Sequence, residues 1–516
     1  MKLISKGILF LTLWHSAATA QTPTWAEDVA PILYQNCTSC HIDGGIGKFS
    51  LVGYNQAKNW ASGIKYQTQN RTMPPWPADP KYKRYAHERI LSTEEIKTLA
   101  DWVDGNTPQG DLSKAPVDPV AQTGILTPNP DKLLKMENYV ATTNTDEYRC
   151  FVIPAGISSN QYLTSIEVIP GNRKAVHHVL VFYDTSKIPL QKDIADPKPG
   201  YIGFGGTGSS TSTLVGLWVP GAEPYAFPAG MGIQLLKNGY FILQIHYPGG
   251  LNSELDSTKV AMKLSSGPLR QVFISPPINH DGALQNGPLY IAPGTTKSFN
   301  AKYTLPLNVT AFAVGPHMHL IGRSIKAWAV NTNGDTTPLI SIPKWDFHWQ
   351  RQYSFRNPIK LTVGSTIWGQ ASYDNTTANP FNPNNPPLGV SVGEKTTDEM
   401  LLIYFWYTAY QAGDENIVID GSTPKNIGTV LLEPNHEMAK AWPNPTEDLV
   451  HLETTGFKPG LVNVKIYAAT GQCLAELTET NIQERISLQV SHYPSGLYHI
   501  QVQQGRQLQT VRVYKQ

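Results

Sequence analysis

Five residues, Cys37-Thr38-Ser39-Cys40-His41, place two thiols and an imidazole at the C-x-x-C-H spacing that fixes a haem covalently and ligates its iron. Zinc and disulfide readings of the Cys pair explain neither the His that follows directly nor the lack of a second Cys pair nearby. The chemistry expected here is electron transfer. A sixth iron ligand is expected from Met73 in Thr72-Met73-Pro74-Pro75-Trp76-Pro77, a loop stiffened by its prolines, with His87 as the rival.

More donors lie downstream, inside β-branched and aromatic runs. His177 and His178 fall in the run 175–182, His246 in 241–247, and His317 and His319 in 315–320. Two positions apart on a strand, His317 and His319 would share a face and offer two imidazoles to one metal. His177 and His178 are adjacent, so both reach one ion only if the backbone bulges or twists there. Each His taken singly reads as a structural residue, but together they point to metal binding. Met400 opens a strongly apolar strand, and its thioether is a soft donor that favours Cu(I) over zinc; the same Met also fits an ordinary core, and spacing alone leaves the metal open.

The elements that must position these donors change along the chain. Lys2 and Lys6, the apolar run 7–14 and the small residues Ala18-Thr19-Ala20 read as a signal peptide over residues 1–20. Thr24-x-x-Glu27 and Ser92-x-x-Glu95 read as capping boxes, the second opening a helix with Ile96, Leu99, Ala100 and Val103 on one face. Residues 21–111 thus form a small all-α domain that resembles the c-type cytochromes. Pro116 and Pro119 mark a linker over 112–123, after which short strands replace helices. A net charge of +1 and the absence of a basic block exclude the electrostatic footprint of a nucleic-acid binder. No later run reaches the roughly 18 apolar residues of a membrane span. Only Cys150 and Cys473 lie outside the haem motif, so the chain is disulfide-poor and relies on packed cores.

The order His177-His178, Gln244-Ile245-His246-Tyr247, His317-Met318-His319-Leu320, Asp398-Glu399-Met400 resembles the copper type II, ascorbate-dependent monooxygenases, the family of peptidylglycine alpha-hydroxylating and dopamine beta-monooxygenases. The likeness extends to 345–350 and 373–376. It implies two consecutive all-β jelly-roll (β-sandwich) domains, 124–285 and 286–435, facing one another across a solvent-filled cleft and holding two copper ions. One copper, on His177, His178 and His246, would store and deliver an electron; the other, on His317, His319 and Met400, would bind O₂ and attack a substrate C–H bond. The same likeness places Gln244 beside the cleft and Tyr404 against substrate. It also shows departures. Gly315 and Leu402 stand where peptide-processing relatives carry an Arg and an Asn that grip a substrate carboxylate, so C-terminally exposed peptides are not expected as substrates. His348 is left outside the metal set.

Residues 441–516 resemble the C-terminal sorting domain of type IX secretion, in the Pro443-Asn444-Pro445 opening and the Ser495-Gly496-Leu497-Tyr498 strand, and imply an Ig-like β-sandwich. The expectation for the whole is an exported enzyme, in the periplasm or at the outer cell surface, that hydroxylates a small organic substrate with O₂. Its electrons would come from an ascorbate-like reductant or redox protein through haem c, and its tail would meet the secretion machinery. The alternative is a non-catalytic copper and haem electron-transfer protein at the cell surface.

Overall fold

The computed structural model describes residues 22–45, 47–120, 124–203, 206–427, 440–442, 444–453, 460–469, 472–481, 485–504 and 507–516. The expected signal peptide and Pro443 of the tail lie outside them.

The N-terminal unit is helical. A single π turn, Trp25–Val29, runs into Ala30–Asn36; Tyr54–Asn59, Ala61–Gln69 and Thr93–Asp104 follow. Thr24 Oγ1 accepts from Glu27 N at 3.4 Å, and Ser92 and Glu95 form a reciprocal capping box (3.0 and 2.6 Å), so two otherwise orphaned helix starts are satisfied locally. Trp25, Val29, Leu33, Ile64, Leu99 and Trp102 make its core. The linker folds back on this unit through Tyr34 Oη, which donates to Asp118 (2.5 Å), and an ion pair between Lys114 and Glu27.

Between these helices, residues 74–88 leave the helical unit and join a different core, the chain rejoining the helical core at Leu91. Ala78 and Tyr85 are buried with Leu339, Tyr353 and Phe355 of the second sandwich. Asp79 N donates to Ser341 O and Ala86 N to Ser354 O (both 2.8 Å), Tyr85 Oη donates to Leu339 O (2.9 Å), and His87 N donates to Asp420 Oδ2 (3.0 Å). The segment is a strap, where a self-contained domain over 21–111 was expected.

The first sandwich packs a six-stranded sheet on a five-stranded one. The latter runs Tyr201–Ile202, Glu147–Pro154, Tyr240–Tyr247, His178–Asp184, Thr213–Trp218, which puts Tyr240–Tyr247 at its centre, covered on both faces and buried almost throughout. The second sandwich pairs the sheet Phe273–Asn279, Leu402–Ala409, Val309–His317, Tyr353–Leu361 with Thr296–Thr304, Thr366–Asp374, Gly322–Val330, Thr336–Ile342. The division between sandwiches therefore falls near residue 272 rather than 285. Arg270–Gln271 pairs in parallel with Met231-Gly232 of the first sandwich, whereas Phe273–Asn279 pairs with Leu402–Ala409 of the second. Pro276 and Pro277 sit at the bulge in that strand, the tolerated place for residues that cannot donate to the ladder. Phe312, Ala313 and Trp406 of the second sandwich pack into the apolar core of the first, so the two share one continuous interface.

The tail forms a three-stranded sheet (Lys440–Trp442, Leu449–Glu453, Arg485–Gln489) and a four-stranded sheet (Cys473–Asn481, Gly460–Ala468, Gly496–Gln504, Gln507–Lys515) around Val450, Val464, Ile486 and Ile500. It touches the helical unit where the Tyr66 hydroxyl meets His499 Nδ1 at 3.2 Å and its ring stacks on Tyr467.

Candidate metal centres

His177, His178 and His246 converge. His246 lies on Tyr240–Tyr247 directly opposite His178, the first residue of its strand, and His177 precedes that strand with its N–H on His246 O (2.9 Å). A regular strand would separate adjacent side chains to opposite faces; the chain avoids this by starting the strand one residue later. The Nδ1 atom of His177 lies 3.2 Å from Nδ1 of both His178 and His246, and ligand atoms of all three fall within 4.8 Å of one another. Nitrogens about 3.3 Å apart are what bonds of about 2.0 Å to one tetrahedral ion require. Burial, reinforced by the neighbouring imidazoles, lowers His177 to about 4 and holds His178 well below its ordinary value, so the rings present lone pairs rather than protons at neutral pH. The donor set fits a borderline-soft ion such as copper. Behind it, Asp146 Oδ2 stands 3.4 Å from His246 Nε2, and Tyr148 stacks on the His246 ring at 4.3 Å.

His317 and His319 come together differently. The strand Val309–His317 ends at the first of them, so His319 lies beyond it; the rings still meet at 5.0 Å, at right angles. His319 Nδ1–H donates to the Asp398 carbonyl (3.2 Å), which can only accept. His317 Nδ1–H donates to Gln350 Oε1, and that amide is oriented by its own Nε2–H, which donates to Phe347 O at 2.9 Å. Both rings are therefore left with a bare Nε2, in contrast to the Nδ1 convergence of the first cluster. Burial lowers them to about 4 and about 3.

Met400 is buried and precedes Leu402–Ala409. Glu399, fully buried, accepts from the backbone N–H of His319 (3.0 Å), Ile321 (2.9 Å) and Met400 (3.1 Å), clamping the two segments that carry the second donor set. Its carboxyl is pushed up to about 8 because burial outweighs those donors. Trp345 Nε1–H adds a bond to His319 O (3.2 Å). Sequence reasoning missed the roles of Glu399 and Asp146; an acidic residue directly before a Met that opens an apolar strand was the available signal for the former.

The segment 344–352 lies between the clusters. The Phe347 ring is 6.0 Å from both His177 and His319, and His348 is 6.2 Å from His177 with its Nδ1–H on Asp346 (3.0 Å). Thr396 Oγ1 of the second sandwich donates to Asp146 of the first at 3.2 Å.

Gln244 needs correction. It is buried, and its Nε2 donates to Gly203 O (2.7 Å) and Gly206 O (3.2 Å), so it anchors a loop of the first sandwich rather than lining the gap. Tyr404 lies opposite Gly315 in the register and packs on the core of the first sandwich. A Cβ on Gly315 would meet the Trp406 ring at 3.0 Å, so any side chain there would have to displace that ring.

In the helical unit, Cys40 N and His41 N both donate to Cys37 O (3.1 and 2.9 Å), bringing two thiols and the imidazole onto one turn. His41 Nδ1–H donates to Phe49 O (3.2 Å), leaving Nε2 with its lone pair free. Gly47 is required here, since a Cβ would sit 2.6 Å from His41 Nδ1. These residues fit a covalently held haem. Met73 follows Ala61–Gln69, its N–H on Gln67 O, while the rival His87 belongs to the strap.

Residues 133–252 match the family model of the copper type II ascorbate-dependent monooxygenase N-terminal domain, and residues 293–423 match that of its C-terminal domain. Residues 440–516 match the secretion system C-terminal sorting domain. The chain therefore carries both copper monooxygenase domains, followed by a type IX sorting tail that directs export to the cell surface or beyond. No curated protein matches it. Among solved structures it is similar to a biofilm-associated protein BSP domain (8% identity, 73% of this chain and 83% of that one, TM-score 0.13) and to the infectious bursal disease virus VP2 subviral particle (12% identity, 56% and 75%, TM-score 0.15). Scores this low carry no argument about fold.

Proposed function

We propose that the protein is an exported copper monooxygenase that hydroxylates a C–H bond of a small organic substrate, with electrons supplied through a haem c held by Cys37, Cys40, His41 and Met73. In the same reading the two sandwiches are jelly rolls and the helical unit is a cytochrome c domain. The observation that carries it is the chemical inequality of the two donor sets: in one, the Nδ1 atoms of His178 and His246 each lie 3.2 Å from that of His177; in the other, two imidazoles keep a bare Nε2 and Glu399 ties His319 to the buried Met400 through their backbone.

Bound copper would supply one-electron transfer at His177, His178 and His246, and O₂ activation at His317, His319 and Met400. The protein's own part is positional. Three rings gathered where the central strand meets its neighbour suit an ion that changes oxidation state with little rearrangement. Asp398 and Gln350 hold the second pair in one tautomer with a bare Nε2, and Glu399 fixes the backbone that carries His319 and Met400. Phe347 fills the space between the clusters, limiting bulk water, and Tyr404 and Gly315 leave an interface without a carboxylate clamp. The balance is one O₂, two electrons and two protons per substrate C–H, giving one C–OH and one water.

The test is copper reconstitution of the full chain, reduction, and exposure to O₂ with a metabolite library, read by mass spectrometry. A product heavier by one oxygen, labelled by ¹⁸O₂ and abolished by copper chelation, is expected. Reversible reduction of both metals with no oxygenated product from any compound would overturn the enzyme in favour of an electron carrier.

A further inference from the structure

Beside Cys40 the molecule buries polar groups that nothing satisfies. Arg351 lies with its guanidinium over the Trp76 ring at 4.8 Å, and among the described residues no carboxylate pairs with it. Its Nε is buried without a hydrogen-bond partner, and so are Trp76 Nε1 and the Tyr353 hydroxyl. The Trp76 and Tyr353 rings meet edge to face at 5.3 Å, so the three orphans form one cluster.

Other sheltered arginines of this chain are matched. Arg149 has Asp196 and three carbonyls, Arg270 has Asp414, and Arg356 has Asp420. Arg351 is half-buried with its Nε fully sheltered, and the two oxygens of a carboxylate are the best match for a planar guanidinium so placed.

The cluster lies at the seam of three parts of the molecule. Trp76 comes from the strap, three residues after Met73, while Arg351 and Tyr353 come from the second sandwich. Cys40, Arg89 and Glu223 lie within electrostatic range of Arg351. Arg89 is already engaged, its Nη2 on Glu223 at 2.8 Å and its Nη1 on Ser39 Oγ at 3.3 Å, so it does not compete for the missing anion.

We propose that Trp76, Arg351 and Tyr353 form a carboxylate site that receives a propionate of the haem attached at Cys37 and Cys40, so that the second sandwich completes the haem pocket. The inference rests on the haem reading above. Two N–H donors and a hydroxyl match two carboxylate oxygens, and the haem is the carboxylate carrier that thioether attachment would bring to this place. Docking of the helical unit and placement of the haem then become one event, because the unloaded chain keeps an unpaired cation at the seam. All three are positioning residues.

The experiment uses the full chain, produced with c-type haem attachment, and the variants Arg351→Leu, Arg351→Lys and Trp76→Phe. Readouts are covalent haem content, the haem midpoint potential and the propionate bending band in resonance Raman spectra. Wild type is expected to carry one haem. Arg351→Leu lowers the midpoint potential, since removing a nearby cation favours ferric iron, and moves the propionate band. Arg351→Lys moves both less, and Trp76→Phe moves the band while keeping the haem. If Arg351→Leu fails to fold, the other two variants decide. Haem-loaded variants with unchanged potential and band overturn the propionate site alone; wild type without covalent haem overturns the haem reading and this site with it. Added acetate should leave wild type unchanged. An acetate-induced shift would assign the cluster to free carboxylates and overturn the propionate assignment.

Discussion

Asp146 stands behind His246 at 3.4 Å, and His246 Nε2 has no better partner. A carboxylate in that place holds the ring with Nδ1 directed at the cluster and raises its basicity. Asp146→Ala should weaken copper binding at the first centre by about 10–100-fold, as outer-shell losses do, while leaving the second centre intact. Chelator competition on the two copper equivalents measures it; equal loss at both, or at neither, would contradict the role. The histidines themselves were legible in the sequence because His-His, His-x-His and a strand His are rare together. Asp146 was not, since its approach to His246 depends on a loop preceding the neighbouring strand. Gln244 was misread because period-two alternation names a face of the sheet without saying what covers it.

Two short segments carry the second centre, and Glu399 ties them. Replacing Glu399 by Ala orphans three buried N–H groups at about 1–3 kcal/mol each. The second copper should therefore be lost before the first, with a lowered Tm; Glu399→Gln, which keeps an acceptor, should retain most of both. Equal copper retention in Glu399→Ala would remove the clamp from the argument. The segment 344–352 acts at the same scale, and its likeness to the family was visible, but its position between the clusters was not, because that depends on how the sandwiches meet. Phe347→Ala should leave copper content unchanged yet lower the product formed per O₂ consumed, as water enters the space the ring fills. An unchanged ratio would show that the ring has no part in coupling.

Across the whole molecule, Arg270 and Asp414 fasten the sandwiches. Both guanidinium arms reach Asp414 at 2.7 Å, and Thr310 adds a hydroxyl donor (2.6 Å). These donors, Arg270 first, hold the Asp414 carboxyl down at about 2, against an ordinary value near 4. A depressed folded-state pKa contributes stability that is complete above about pH 4 and disappears as pH falls toward about 2. Asp414→Ala should cost about 3 kcal/mol, toward the low end for breaking a sheltered pair, and should flatten the acid limb of the stability curve in that window. An acid limb identical to wild type would assign it to other carboxylates. Four regions were legible from composition and turn signals, whereas the division at residue 272 was hidden by a proline-bearing strand. The strap was hidden too, because a stretch of Pro, Lys and Tyr reads as a loop until its partners, some 250 positions later, are known.

That separation has a consequence for biogenesis. Tyr85 and its acceptor Leu339 are 254 positions apart, and His87 waits on Asp420 at a distance of 333. A polypeptide threaded outward from its amino end therefore holds an unfinished helical head while an entire intervening sandwich emerges and closes. Only when the chain has been delivered as far as Asp420 does the head acquire its full seat, so a product cut short before Leu339 would leave Tyr85 and Ala78 open to any protease.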